Sequence, residues 1–291
     1  MNWDIIGKQI VAATGQDFTA RTVQSLSGGD INAAFRLQDG QKSYFVKLNR
    51  PELETMFAAE FAGLQELART KILRVPTPVV YGRSDTHSFL VLEYLELGAS
   101  SRVSDRLLGQ QLAYLHQQAQ PYFGWHRDNT IGSTTQINQQ SHDWLKFWQE
   151  QRLGFQLQLA AKNGYNGRLQ TMGERLVSEL AVFFNHTPTP SLLHGDLWSG
   201  NAATDKQGNP VIFDPACYYG DREADLAMTE LFGGFSGDFY AAYQDVWALH
   251  EDYRVRKSLY NLYHILNHLN LFGGGYLRQA ENMMTGLLAQ T

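Results

Sequence analysis

The stretch that most constrains the fold is Leu-His-Gly-Asp-Leu-Trp-Ser-Gly-Asn at residues 193–201, which sets Asp196 and Asn201 five residues apart. Asp214 follows thirteen residues after Asn201, at the end of the apolar run Val-Ile-Phe. Transfer of a phosphoryl group from ATP needs a carboxylate that accepts the proton of the attacked hydroxyl, and oxygen ligands for the magnesium on the phosphates. The spacing therefore predicts a kinase in which Asp196 is the general base and Asn201 and Asp214 bind Mg²⁺.

The order Asp, Asn, Asp is also that of the catalytic loop and metal-binding Asp of protein kinases, although Gly195 stands where an Arg usually precedes the catalytic Asp. An Asx-turn is the alternative interpretation of Asp196, but it does not account for Asn201 and Asp214 at their spacings. His194 is expected to order the loop through packing and hydrogen bonds. A zinc site is not indicated, because no Cys or second His stands at ligand spacing in this region.

Composition limits the class of protein further. The 291 residues, 43% of them apolar, suit one large domain or two lobes with ample core, and the net charge of −5 provides no basic stripe for nucleic acid. No apolar run approaches the ~18 residues of a membrane span, and the N-terminus does not resemble a signal peptide. The single Cys217 excludes an internal disulfide and suggests a small apolar filler. We expect a cytoplasmic monomer or weak dimer that binds neither nucleic acid nor membrane.

The hydrophobic pattern changes along the chain. Helical spacing over residues 3–14 precedes β-like runs at Thr19–Leu26, Ala33–Leu37 and Tyr44–Leu48, a helix from Pro51 to about Ala68, and runs at Val79–Tyr81 and Phe89–Leu92. Later segments are mostly helical: a helix capped by Ser104, then residues 141–162, 167–185, 236–249, 251–271 and 276–290, with short strands at Ser191–Leu193 and Val211–Phe213. This predicts an α+β fold, with a small β-rich N-lobe over residues 1–95, a larger α-helical C-lobe over residues 96–291, and a cleft for a small molecule.

Three features of the predicted N-lobe suggest contacts with a nucleotide. Gly28 and Gly29 lie between two strands and could bring backbone N–H groups close to phosphates, although an ordinary turn is the alternative and Asp30 beside them would repel phosphate. Lys47 lies in an apolar strand, either as an edge lysine or as the cation for the ATP phosphates. Glu60 on the next helix could pair with Lys47, with Glu54 as its competitor and a solvated helix face as the alternative for both.

The segment after Asp214 adds candidates near the acceptor. Asp225 either lies at the start of a helix, where the positive end of the helix dipole stabilises its charge, or is buried and accepts N–H groups of the catalytic loop. Asp221, Arg222 and Glu223 either meet the acceptor substrate or form a solvated ion-pair cluster. His264 and His268, four residues apart on a helix, favour a surface or groove over a metal site.

Taken together these motifs resemble the fructosamine kinase (ketosamine 3-kinase) family, a branch of the aminoglycoside-phosphotransferase and protein-kinase-like fold. The resemblance spans nearly the whole chain and rests on residues 27–29, 45–47, 56–64, 91–95, 193–201, 214–216 and 219–228. It implies ATP-dependent phosphorylation, with Mg²⁺, of the 3-hydroxyl of ketosamines formed on small amines or protein lysines. The phosphorylated adduct breaks down and frees the amine, so the implied role is deglycation and protein repair.

The resemblance also implies roles for individual residues. Glu93, Tyr94 and Leu95 would form the adenine-contacting hinge, and Trp198 would pack against the sugar, although a core position is the default for a lone Trp. Many relatives carry Cys where this chain has Asp30, so a disulfide switch at that loop is not expected here. Regulation by phosphorylation of a loop is not expected either, since no long activation segment is recognisable.

Two other hypotheses remain. One is a kinase of the same fold that acts on an aminoglycoside, choline or a free sugar, and the acidic residues near the acceptor side favour a cationic substrate without deciding which. The other is a non-catalytic nucleotide-binding module, which the presence of Lys47, Asp196, Asn201 and Asp214 disfavours.

Overall fold

A computed structural model describes residues 3–27 and 31–291. The predicted phosphate-binding residues Gly28 and Gly29, and Asp30 beside them, lie outside the described residues. The chain divides into two compact units, which we call the N-terminal unit (Met1–Ser104 and Ala202–Pro215) and the helical unit (Asp105–Asn201 and Ala216–Thr291).

The N-terminal unit is built on a five-stranded antiparallel sheet. Its strands, in the spatial order β1-β2-β3-β5-β4, are β1 Thr22–Leu26, β2 Ala33–Gln38, β3 Ser43–Asn49, β4 Pro78–Arg83 and β5 Ser88–Glu93. Two helices accompany it, α1 Trp3–Thr14 and α2 Glu54–Arg69, the second preceded by a 3₁₀ turn at Pro51–Leu53. The predicted five strands and their helix are therefore present.

Alternation along β3 decides which of its side chains enter the core. Tyr44, Val46 and Leu48 are buried in a cluster with Ile6 and Ile10 of α1. Because successive side chains of a strand point to opposite faces, Lys47 projects from the face opposite that cluster. Helix α2, whose Phe57 and Leu64 are fully buried, packs on β4 and β5. Strand period and helix packing together direct the lysine toward α2.

A second, smaller sheet completes the N-terminal unit. It consists of β6 Leu97–Gly98, β10 Ala202–Asp205 and β11 Pro210–Ile212 in the order β11-β10-β6. The hairpin at residues 202–215 thus joins the N-terminal unit, and the division falls after Ser104. The predicted boundary after residue 95 differs because hydrogen bonds between β6 and β10 connect segments that are distant in sequence.

The helical unit contains most of the remaining chain. Its helices are α3 Arg102–His116, α4 Trp144–Trp148, α5 Phe155–Lys162, α6 Arg168–Glu179, α7 Arg222–Thr229, α8 Gly237–Val246, α9 Tyr253–Phe272 and α10 Tyr276–Leu288, with a π-helical segment at Gln149–Gly154 and a 3₁₀ segment at Leu180–Phe183. The unit also contains two antiparallel strand pairs. One is β7 Asn129–Ile131 with β8 Thr134–Gln136, and the other is β9 Ser191–Leu193 with β12 Tyr218–Gly220.

Helix α9 forms the centre of this unit and packs against α5, α7 and α10, with almost every residue from Leu259 to Leu269 buried. The predicted cap of α3 is wrong by one turn. Ser104 lies inside α3, and Ser101 accepts the backbone N–H of Ser104 at 3.1 Å. No helix of the described residues is long and apolar enough to cross a membrane.

Candidate active site

Lys47 is the centre of a buried charge cluster in the N-terminal unit. Its Nζ lies 2.7 Å from Glu60 Oε1 and 2.6 Å from Asp214 Oδ1, and the residue is 5% exposed. Burial opposes the charged ammonium, but the carboxylates of Asp214 and Glu60 raise its pKa above the usual value. Burial also raises the pKa of Glu60, and Lys47 opposes that rise. Glu54, the alternative partner, is 3.6 Å from Arg83 instead, so the position of Lys47 is fixed by Glu60.

Asp214 follows strand β11 with the backbone in the left-handed region, at φ 59°. This conformation costs a non-glycine residue about 1–2 kcal/mol, although Asp tolerates it better than most residues. Its side chain is 43% exposed, so only one side of the carboxylate is engaged by Lys47. A strained backbone that turns an exposed carboxylate toward a lysine is typical of a functional site.

The catalytic loop of the helical unit is anchored by Asp225. The carboxylate of this buried residue accepts the N–H of His194 at 2.7 Å, the N–H of Gly195 at 2.8 Å, and Nε2 of His116 at 3.2 Å. Burial raises the pKa of Asp225, but the bond from His116 and the other donors outweigh it and hold the pKa below its usual value. Burial lowers the pKa of His116, so its neutral ring donates to Asp225 and accepts from Tyr243.

The geometry at Gly195 explains why a glycine, and not the Arg of protein kinases, precedes Asp196. Its φ is 83°, and a Cβ placed there would lie 2.1 Å from the carbonyl oxygen of Ala216. Ala216 in turn donates its N–H to the carbonyl of His194 at 2.9 Å, which continues the pairing of β9 with β12. No side chain fits at this position without moving the backbone, so the loop requires glycine.

Asp196 and Asn201 face each other across a short turn. The Nδ2 of Asn201 donates to the carbonyl oxygen of Asp196 at 2.9 Å and to its Oδ2 at 3.2 Å. A 3₁₀ turn at Ser199–Asn201 brings the amide back to the carboxylate. Because its NH₂ group is engaged, the amide has its oxygen left to serve as a ligand.

The donor set suits magnesium. Among the described residues no group of three or more His, Cys, Asp or Glu could hold a metal ion by itself. Mg²⁺ is usually held by one or two protein oxygens together with phosphates and water. The half-exposed carboxylate of Asp214 in the N-terminal unit and the amide oxygen of Asn201 in the helical unit are each hard donors of that kind, so each residue by itself is chemically suited to the ion.

The residues after β12 are buried, which corrects the interpretation of this segment as a solvated ion-pair cluster. Asp221 is 3% exposed, accepts the hydroxyl of Tyr260, and caps α7 by accepting the N–H of Glu223 at 3.0 Å. Burial raises its pKa to about 6. Glu223 forms a buried pair with Arg256 at 2.7 Å. The carboxylates of Asp221 and Glu223 are therefore engaged inside the unit, and they lend no support to a cationic substrate.

Arg222, the other predicted substrate residue, is directed toward α8 and the residues after it. Its guanidinium donates to the hydroxyl of Tyr243 and to the carbonyls of Trp247 and Ala248, and it lies 4.0 Å from the ring of Trp247. All of its described bonds are structural, so we do not assign it to the substrate.

The predicted hinge lies at the end of β5. The carboxylate of Glu93 accepts from Arg74 and from Thr77, and the ring of Tyr94 lies 4.2 Å from the guanidinium of Arg36. The main-chain N–H of Glu93 is engaged as well, because it donates to the carbonyl of Thr77 at 2.8 Å. Leu95 is half-buried.

Trp198 is exposed on the catalytic loop, not buried in a core. Its side chain is 37% exposed and its ring covers Gly200, with the ring of Phe232 6.4 Å away. Cys217, by contrast, is fully buried, as expected for an apolar filler. His264 is buried and burial lowers its pKa to about 3, so a surface position for it is wrong, whereas His268 is half-buried.

Sequence reasoning missed several supporting residues. His116 is separated from Asp225 by more than a hundred residues, and Arg256 reaches Glu223 from α9. No local motif marks them. A lone His in the last turn of a helix, and a lone Arg within an apolar helical stripe, were the only signals available.

The comparisons with known proteins concern the chain as a whole. The fructosamine kinase family model matches residues 2–290. A probable ketoamine kinase of Synechocystis sp. is 50% identical over 283 residues, covering 97% of this chain and 95% of the relative. A chloroplastic protein-ribulosamine 3-kinase of Arabidopsis thaliana is 41% identical over 285 residues, covering 97% of this chain and 87% of the relative.

Solved structures give the same result. A chain from Haemophilus somnus described as a candidate fructosamine-3-kinase has a TM-score of 0.91 at 31% identity and covers 98% of this chain and 97% of its own. A ternary complex of the aminoglycoside phosphotransferase APH(4)-Ia with ADP and hygromycin B has a TM-score of 0.67 at 14% identity, with 98% of each chain covered. The second likeness concerns the fold alone. The predicted α+β, protein-kinase-like fold is confirmed.

Proposed function

This chain belongs to the fructosamine kinase family, and from that premise we propose how its residues transfer the γ-phosphoryl group of ATP to the 3-hydroxyl of a ketosamine. The protein is a phosphotransferase that uses a nucleotide and acts on a hydroxyl group. The observation that carries the proposal is the anchored catalytic loop, in which Asp225 fixes the backbone directly before Asp196.

On the nucleotide side we assign the phosphates to Lys47. The ammonium stays charged because two carboxylates raise its pKa, and Glu60 fixes its direction. A flexible lysine stem does not supply that direction alone. Asp214 and Asn201 would hold Mg²⁺, which when bound neutralises charge on the phosphates. We assign the contact with adenine to the main chain of Tyr94 and Leu95, because the N–H of Glu93 already donates to the carbonyl of Thr77.

On the acceptor side we assign the general base to Asp196. A carboxylate needs no large pKa shift to orient a hydroxyl and accept its proton late in a loose transition state. Asn201 holds the Oδ2 of Asp196 in place at 3.2 Å. The exposed ring of Trp198, on the same loop, suits the apolar face of a sugar.

The product fits a role in deglycation. A ketosamine carries the amine on a carbon next to a carbonyl, and phosphorylation converts the 3-hydroxyl, on the other side of that carbonyl, into a phosphate ester that can leave as inorganic phosphate. Loss of a proton from the carbon that bears the amine, departure of the phosphate and hydrolysis of the resulting imine by water would free the amine. We propose that the acceptors are ketosamines on small amines or on protein lysines.

The location of the protein in the cytoplasm stays a prediction from the sequence. The same holds for its state as a monomer or weak dimer without nucleic-acid partners.

The test is ADP release, coupled to a spectrophotometric assay, with Mg-ATP and lysine carrying ribulose or fructose. Unmodified lysine is the blank. We expect adduct-dependent release that falls by roughly 10²–10⁴ in kcat in Asp196→Asn. Asp245→Asn is the matched control, because Asp245 is an acidic residue whose side chain is 64% exposed on α8. Unchanged turnover in Asp196→Asn would refute the role of this residue.

The same assay separates the remaining acceptors. Release on kanamycin, choline or a free sugar, without release on either adduct, would replace the ketosamine by that acceptor. Binding of Mg-ATP without ADP release on any acceptor would support a non-catalytic module.

A further inference from the structure

The hairpin of β7 and β8 carries two buried amides whose donors point at the backbone next to the catalytic loop. Asn129 and Gln136 are paired across the hairpin and are 7% and 1% exposed. Nε2 of Gln136 donates to the carbonyl of Ala216 at 3.0 Å, and Nδ2 of Asn129 donates to the carbonyl of Cys217 at 2.8 Å. Gln136 also donates to Oδ1 of Asn129 at 2.8 Å, so the two amides form one clamp on two successive carbonyls.

The orientation of each amide is fixed by a group that donates to its oxygen. The hydroxyl of Tyr263 donates to Oε1 of Gln136 at 2.8 Å, and burial raises the pKa of that hydroxyl to about 12. Asn138 donates to Oδ1 of Asn129 at 2.9 Å and accepts from Arg152 at 2.8 Å. A guanidinium has no acceptor. The bonds that start at Arg152 therefore run through Asn138 and Asn129 to the carbonyl of Cys217. Gln136 joins them as a second donor to Asn129, and its NH₂ group also donates to the carbonyl of Ala216.

Arg152 is itself unusual. It is fully buried in the π-helical segment, and among residues 3–27 and 31–291 no carboxylate lies within ion-pair distance of it. Its charge is met by the carbonyl of Ile137 at 2.6 Å and by the ring faces of Tyr218 at 4.1 Å and Phe147 at 4.6 Å. A cation in a low-dielectric interior polarises the bonds that start from it. The clamp is thus held by a buried charge and not only by neutral amides.

The other end of this network reaches the catalytic loop. The carbonyl oxygen of Ala216 accepts from Gln136. The same oxygen packs against Gly195, where a Cβ would lie only 2.1 Å from it. The N–H of Ala216 donates to the carbonyl of His194. Ala216 is thus wedged between the clamp and the backbone that leads directly into Asp196. Asp225 fixes the N–H groups of this backbone, and Ala216 is packed against its other side.

We infer that Gln136 and Asn129 are positioning residues for Asp196, acting through Ala216. They touch neither of the groups assigned to the nucleotide phosphates, Lys47 and Asp214, so their effect belongs to the phosphoryl-transfer step. The inference rests on the proposed function, since it concerns the same base. A displacement of about 1 Å at a reacting group can cost about 10²-fold in rate.

The test is Gln136→Met, which keeps the length of the side chain and removes the amide. We expect kcat on the ketosamine to fall about 10²-fold while KM for Mg-ATP stays within twofold. Amide hydrogen exchange at His194 and Gly195 should become faster. Thr135→Val is the matched control on the same strand, because Thr135 is exposed on the opposite face, and it should change neither quantity.

Tyr263→Phe serves as the second variant, because it removes a single hydroxyl and leaves the packing intact. We expect a smaller fall in kcat, about 10-fold, again without a change in KM for Mg-ATP. The inference is overturned if either variant keeps kcat and the exchange rates of the wild type, or if activity falls only in proportion to the unfolded fraction. Exchange needs no substrate, so an absence of turnover in the wild type would count against the proposed function and leave the positioning role measurable.

Discussion

Replacement of Asp225 by Asn removes one charge from the carboxylate of α7 that anchors the catalytic loop. The native side chain accepts two backbone N–H groups, from His194 and Gly195, and one ring N–H from His116. An asparagine oxygen in the place of Oδ2 can still accept from His194 and His116, but the NH₂ group in the place of Oδ1 then faces the N–H of Gly195. One buried donor is left without a partner.

The magnitude follows from these contacts. Hydrogen bonds to a charged group contribute about 1.5–3 kcal/mol each, and an unsatisfied buried donor costs about 1–3 kcal/mol. Asp225 is 1% exposed, so water cannot replace the lost acceptor. One bond is lost and the others lose their charge assistance. We therefore expect Asp225→Asn to lower the free energy of unfolding by about 3–5 kcal/mol.

Urea denaturation followed by circular dichroism measures this quantity. Asp245→Asn, on the exposed face of α8, is the control and should stay within about 0.5 kcal/mol of the wild type. The pKa of Asp225 is lowered in the folded protein, so its stabilisation is complete above the ordinary carboxyl pKa of about 3.9 and is lost as pH falls through the lower folded value. The difference between wild type and variant should be constant from about pH 8 to 5 and shrink below about pH 4. A loss below about 1 kcal/mol at pH 7 would refute the anchoring role.

Three further predictions concern Glu60, Gly195 and Trp198. Glu60→Gln should raise KM for Mg-ATP about 10-fold, whereas Glu54→Gln should leave it unchanged, because Glu60 contacts Lys47 and Glu54 pairs with Arg83 instead. Equal KM values for the two variants in steady-state kinetics would contradict this. Gly195→Ala should lower kcat about 10²-fold, since its Cβ would overlap the carbonyl of Ala216, and a variant with wild-type kcat and unfolding midpoint would contradict the close approach. Trp198→Ala should raise KM for the ketosamine about 10-fold with KM for Mg-ATP unchanged, and the opposite split would place the ring on the nucleotide.

Local patterns predicted the elements well, and long-range pairing was the main source of error. The alternation in β3 and the helical spacing of α9 depend only on neighbouring residues, and both elements form where expected. The hairpin at residues 202–215 joins the N-terminal unit through β6, which no local pattern could indicate. Ser104 was assigned as a cap because it precedes an apolar stripe, but Ser101 starts the helix one turn earlier.

The candidate site shows the same division. The spacing of Asp196, Asn201 and Asp214 predicts phosphoryl transfer, whereas the resemblance to the family rests on the combined motifs. The family is confirmed, and the individual roles stay predictions. For Asp221 and Glu223 the sequence leaves open a contact with the acceptor substrate or a solvated ion-pair cluster, because nothing in the sequence tells a buried carboxylate from an exposed one. Their partners, Tyr260 and Arg256, lie more than thirty residues away.

The sequence by itself determined which chemical groups are available and how far apart they stand along the chain. Covalent spacing alone fixes that an amide lies five residues beyond Asp196 and that a glycine precedes it. Only the tertiary structure decided which carboxylate pairs with Lys47, why Gly195 admits no side chain, and which amides hold Ala216 in place. Burial and the direction of hydrogen bonds arise when distant segments exclude water from one another, and that contact is a property of the fold, not of any short stretch of sequence.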